Sequence, residues 1–351
     1  MSLATVIELG PEFGRPQLKG IQGHIHLNLA TEGGILPGYT DTDKNIFTYL
    51  YECFEEGGID PSMVTLVWGN SNSEELYARW CEHTNTEPQL TVVSNAMWCS
   101  IVYNMHTDYS EHYERNYTAD KPLDKLFTFF CRANRNFRVD MLNALCDYKL
   151  LDDIEWSWHQ GFTESALHPK LKHLVPKKLD GDTTSSATIN PGQEFFACMD
   201  TTYFDLVPET FYYNDEAELT PQDTLPAYLA EHEGWWHTIF ITEKTWRCMF
   251  NKRPFIIAGN KGTLAHLHSL GFKTFPHIFD ESYDRLEDQY RLKHILSQIN
   301  NIDKTVLHDK IFSEETKEIL EHNKEVARQL AGNLSRRLHL FNNGVLDFNK
   351  E

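Results

Sequence analysis

At 351 residues with 41% hydrophobic content, the chain is long enough to bury a large core and to divide into two domains. Its formal net charge of −19 argues against a protein that coats nucleic acid through a broad basic face, although it leaves room for a local basic cleft. Neither a run of membrane-spanning length nor a basic start followed by an apolar stretch is found. The seven cysteines lack disulfide-framework or zinc-ligand spacing, and together these features predict reduced thiols and a cytoplasmic protein.

In chain order, residues 3–9 and 23–29 read as strands, the second carrying His24 and His26. Ile46, Leu50 and Phe54 recur at spacing four and predict a helix over 44–56, introduced by Asp41 and Asp43. Strands at 64–68 and 90–93 flank a helix over 73–83. Leu126 to Phe130 is strand-like, residues 131–136 form a polar loop, and Arg138 opens a helix with Leu142, Leu145 and Cys146 on one face. Residues 160–194 are rich in Pro, Lys, Ser and Thr and read as an interdomain linker or mobile loop. Strand–helix alternation resumes from about 195 to 285, and a long helix starts near Ser313, with Leu330, Leu334, Leu338 and Phe341 on one stripe. The pattern predicts parallel βαβ units. The expected division is an N-terminal α/β domain over 1–120, an Arg-bearing unit with linker over 121–194, and a C-terminal α/β domain over 195–351.

Three strand-to-helix junctions carry cations. Thr238 to Ile241 leads into Thr242-Glu243-Lys244, where Thr242 has the character of an N-cap and Glu243 suits the positive end of a helix dipole. Lys244 does not suit it, and a bound anion is the simplest compensation; an exposed Lys paired with a nearby carboxylate is the plainer one. Arg132, Arg135 and Arg138 cluster at the second junction. The third is the turn Gly259-Asn260-Lys261-Gly262-Thr263 after the strand Pro254 to Ala258. Such junctions are where open α/β sheets bind ligands, and a diphosphate site is the shared reading.

Metal-ligand patterns are sparse. Asp41-Thr42-Asp43 and Asp180-Gly181-Asp182 have Asp-x-Asp spacing, but the first pair sits where a helix cap belongs and the second in a loop. His24 and His26 share a strand face without a characteristically spaced third ligand, so a packed or cleft-lining role is read before a zinc site.

Arg138 followed by Leu145, with Ile241-Thr242-Glu243-Lys244 downstream, resembles the α-1,3-fucosyltransferase family of glycosyltransferases. Arg253 to Ile256, Gly259, Gly262 to Leu264, Leu270 to Phe275 and Asp280 to Asp284 also look like segments of fucosyltransferase-like proteins of phages and marine bacteria. The resemblance covers roughly residues 125–150 and 195–290. It implies an α/β fold with two Rossmann-like domains facing a cleft, the GT-B arrangement. The implied reaction is inverting sugar transfer from a nucleotide-diphosphate sugar to an acceptor hydroxyl, with no divalent metal required. Arg138 and Lys244 would neutralise the leaving diphosphate, with Arg135 and Lys261 in support. Glu243 matches the family's nucleotide-binding Glu and would accept hydrogen bonds from ribose hydroxyls. Glu209 would help hold sugar or ribose, or is a surface carboxylate. Glu32 and His24 are the positional choices for a general base on the acceptor side. Trp235-Trp236-His237-Thr238 and Val207-Pro208-Glu209-Thr210 depart from the family's pattern, so the resemblance implies the nucleotide-sugar class and not fucose. The acceptor is open, with a glycan or a modified nucleobase among those the chemistry allows. A nucleotide-sugar-binding module without catalysis and a structural or virion interaction protein are the alternatives.

Overall fold

Parallel pairing organises both sheets of this α/β protein. The computed structural model describes residues 5–8, 21, 23–29, 46–69, 73–94, 123–131, 136–158, 167–178, 193–209, 212 and 239–342. The chain divides into two compact units, neither of them continuous in sequence: Met1–Ser100, Tyr213–Phe240 and Ala331–Glu351 form one, and Ile101–Tyr212 with Ile241–Leu330 form the other.

In the first unit, β1 (Thr5–Glu8), β2 (Ile25–Leu29), β3 (Val64–Trp68) and β4 (Thr91–Ser94) form a sheet in sequential order. All three pairings are parallel. Helix α1 (Ile46–Gly57) precedes β3 and α2 (Ser73–Thr84) follows it. Every residue of β3 is buried, as expected of a parallel strand covered on both faces. Phe47, Trp68, Tyr77 and Trp80 build an aromatic core between helices and sheet, with Phe47 edge-on to Trp68 at 5.8 Å between ring centroids.

The second unit contains β5 (Lys125–Cys131), α3 (Asn136–Asp147), β6 (Glu155–Trp158), α4 (Gln193–Asp200), β7 (Thr202–Pro208) and α5 (Glu243–Phe250). Then come β8 (Phe255–Ala258), α6 (Thr263–Ser269), α7 (Asp288–Asn300) and α8 (Lys304–Ile311). The long α9 (Glu314–Asn342) follows; Leu330 is half-buried, while Leu334, Leu338 and Phe341 lie outside the described side chains. Strand order is β6-β5-β7-β8, all parallel. From β5 the chain moves outward to β6, then returns past β5 to place β7 on its other side. Right-handed crossovers therefore send α3 and α5 to opposite faces, opening a crevice at the carboxyl ends of β5 and β7. The first sheet has no such reversal among its described strands.

Two features depart from the sequence reading. Strand β6 (Glu-Trp-Ser-Trp) was not anticipated, because it follows directly on an acidic turn at Leu151–Asp153. Residues 167–178, inside the span read as linker or mobile loop, are tied to it. Trp158 and Lys177 exchange backbone hydrogen bonds at 2.7 and 2.9 Å, Leu171 is fully buried, and the Lys177 ammonium lies 4.7 Å from the Trp156 ring. One sheet draws strands from both sides of residue 194.

Candidate functional site

The carboxyl ends of β5 and β7 gather most of the described residues singled out by sequence. Arg138, in the first turn of α3, is 2% exposed. Its Nη2 donates to the carbonyls of Pro208 and Glu209 at 3.0 and 2.6 Å, so the guanidinium ties the helix after β5 to the end of β7. Its charge also lies against the Phe137 ring, 5.5 Å from the centroid.

Glu209 follows β7 and is 1% exposed, so it is not a surface carboxylate. Its oxygens accept from the Thr242 amide at 3.1 Å, the Thr242 hydroxyl at 2.7 Å and the Thr245 hydroxyl at 2.6 Å. A carboxylate from another element thus caps α5. Thr242 has the extended backbone of an N-cap, at φ −102° and ψ −176°, yet its own side chain makes no capping bond. The hydroxyl is turned instead toward Glu209 and Lys244.

Lys244 is compensated within the chain. Its ammonium lies 3.0 Å from a Glu243 carboxylate oxygen and donates to Thr242 Oγ1 at 3.0 Å. Both partners are nearly enclosed, with the Lys244 and Glu243 side chains 13% and 7% exposed. Burial works to raise the Glu243 carboxyl, but the Lys244 and Arg247 charges, with hydrogen bonds from Lys244 and the Glu243 amide, hold it below its ordinary range. A continuous chain of contacts therefore runs from Arg138 through Glu209 and Thr242 to Lys244. Cys131, closing β5, lies within the field of both cations; burial pushes its thiol up to about 12 against the opposing pull of Arg138 and Lys244.

The third cationic junction is built differently. Gly262 takes a left-handed conformation at φ 84°, as its type allows. The amides of Leu264 and Ala265 donate to the two oxygens of Asp284 at 3.0 and 3.2 Å. The place read as a phosphate cradle is filled by the protein's own carboxylate, which burial raises above its usual range. Lys261 is paired with Glu287 at the surface.

A cleft open to solvent, with a cavity volume of about 30 Å³, lies between α5 and the face of β5 and β7. It is lined by Thr128, Phe130, Met199, Asp205 to Pro208, Lys244, Arg247 and Cys248. Sequence reading missed Asp205 and Arg247. An acid inside the otherwise apolar Tyr203 to Val207 was the available signal for the first, and a cation three residues beyond Lys244 for the second. Asp205 accepts from Arg253 Nη2 at 2.9 Å, from the Thr128 hydroxyl at 2.6 Å and from the Cys248 thiol at 3.4 Å. Arg253 also donates to the Met199 and Thr202 carbonyls at 2.6 and 2.9 Å, which locks the amino ends of β7 and β8.

His24 precedes β2 in the first unit, half-buried, with its ring edge-on to that of buried His26 at 5.8 Å between centroids. Glu32, Arg132, Arg135, Asp41, Asp43, Asp180, Asp182, Trp235 and Trp236 lie outside the described residues. Among the described residues, no group of three or more His, Cys, Asp or Glu side chains is arranged to hold a metal ion, and no helix is long and apolar enough to cross a membrane. The six described cysteines are free thiols. No protein-family model, curated protein or solved structure matches the chain.

Proposed function

We propose that this protein is a glycosyltransferase of GT-B architecture that moves a sugar from a nucleotide-diphosphate sugar to an acceptor hydroxyl. The observation that carries the reading is the strand-order reversal between β5 and β7, with Thr242-Glu243-Lys244 starting the helix beside it. Ligands of open α/β sheets bind at such reversals, and the same three residues carry the resemblance to α-1,3-fucosyltransferases. Lys244 stabilises negative charge developing on the leaving diphosphate, and Glu243, held ionised by its cationic neighbours, accepts from ribose hydroxyls. Glu209 and Arg138 build the start of α5 and hold it against β7. Glu32 and His24 remain the proposed general bases on the acceptor side. Cationic side chains take the charge-neutralising role, and transfer is inverting.

Calorimetric titration with GDP and UDP, followed by donor turnover with mixed acceptors, tests the proposal. Binding with turnover supports it. Absence of binding to both nucleotides overturns it. A non-catalytic reading has one specific observation in its favour: Lys244 is already paired with Glu243, and the α5 terminus is already capped by Glu209. Under that reading nucleotide binds without turnover, or does not bind.

A further inference from the structure

Arg138 and Lys244, the two cations assigned to the diphosphate by sequence, stand differently toward a ligand. Arg138 is enclosed and its Nη2 is held by two backbone carbonyls, whereas Lys244, although paired with Glu243 and donating to Thr242, lines the cleft beside α5. Arg247 lines the same cleft. Residues three apart on a helix lie on one side of it, so the two cations present a common face.

The opposite wall consists of Thr128 and Phe130 on β5 and Asp205 to Pro208 on β7. Asp205 would repel an anion if left alone, but Arg253 neutralises it at 2.9 Å. Glu243 is offset by Lys244 and Arg247 together, since both charges act on its carboxyl.

We propose that Arg247 and Lys244 form the anion-binding pair of this cleft, and that Arg138 is a strut positioning them. The ligand is the diphosphate group of a nucleotide, and in that respect the inference rests on the function proposed above. A guanidinium and an ammonium on one helix face suit two adjacent phosphates, the fork engaging one bidentately and the point charge the other.

The experiment titrates GDP, UDP and inorganic pyrophosphate into wild type, Arg247→Gln, Arg247→Lys and Arg138→Lys, and records thermal midpoints without ligand. Arg247→Gln is expected to weaken all three ligands by about tenfold or more, through loss of charge-assisted hydrogen bonds; its midpoint also falls, since the enclosed Glu243 loses one of its two cationic neighbours. Arg247→Lys keeps the charge without the fork and should fall between; it carries the test if the glutamine variant does not fold. Arg138→Lys should lower the midpoint, since the buried carbonyls of Pro208 and Glu209 lose a donor. Wild-type affinity in both Arg247 variants overturns the proposal. If wild type binds pyrophosphate through Arg247 but neither nucleotide, the glycosyltransferase reading fails and the anion site stands. If it binds GDP or UDP without using Arg247, the reverse holds. Binding to none of the three overturns both.

Discussion

Removing the Lys244 ammonium is expected to do two things at once. By sequence alone, Lys244→Ala relieves a cation in the first turn of a helix and leaves folding unharmed or slightly firmer. The pairing with buried Glu243 reverses that sign, because the substitution leaves an enclosed carboxylate with less compensation. Chemical denaturation of Lys244→Ala should show a loss of about 1–2 kcal/mol, and GDP or UDP affinity should fall by about 1.5–3 kcal/mol. Unchanged stability would mean that the pair contributes nothing to folding. Glu243 also gives the molecule an acid sensitivity of definite sign. Its folded carboxyl lies below the ordinary Glu value of 4.5, so its contribution is fully present above that pH and is lost as pH falls through the folded value. Stability measured against pH should therefore drop less steeply below 4.5 in Glu243→Gln than in wild type. The site was legible at this scale in Thr242, Glu243 and Lys244, whose residue types conflict with one another inside a short segment. Asp205 was not, because its meaning depends on partners far along the chain, Cys248 at 43 residues and Arg253 at 48.

Helices α5 and α6 share a device: each start is held by a buried carboxylate from elsewhere in the chain, Glu209 for one and Asp284 for the other. Anion positions at helix starts follow from unpaired amides and the helix dipole, and such positions accept an internal carboxylate as readily as a phosphate. At the third junction the amides that the sequence reading offered to a phosphate are taken up by Asp284. Glu209→Ala should destabilise the protein by about 2–4 kcal/mol, since one amide and two buried hydroxyls lose their acceptor. Equilibrium urea unfolding measures this; a loss below about 0.5 kcal/mol, the usual size for surface changes, would rule out the capping role. The strands of the first sheet were readable because they are apolar, short and bounded by turns, and the described spans start within about two residues of the expected ones. Strand β6 was hidden because it owes its place to pairing with β5 and follows directly on the acidic turn at Leu151–Asp153.

At the scale of the whole molecule, the charge-neutralising work of the proposed reaction falls to side chains, so donor turnover should persist in EDTA with at most a modest loss. Complete inactivation that added Mg²⁺ or Mn²⁺ restores would overturn this and point back to the Asp-x-Asp pairs. The α/β class and parallel sheets were legible from alternating elements alone. The division into units made of separate stretches of chain was not, since neighbouring residues carry no mark of the unit they belong to. That division has a consequence during synthesis. The first unit takes residues from the beginning, the middle and the end of the chain, its last stretch starting at Ala331. At ordinary ribosome speeds, its opening and closing stretches are made on the order of tens of seconds apart. The residues translated first thus belong to the unit whose last stretch is translated last.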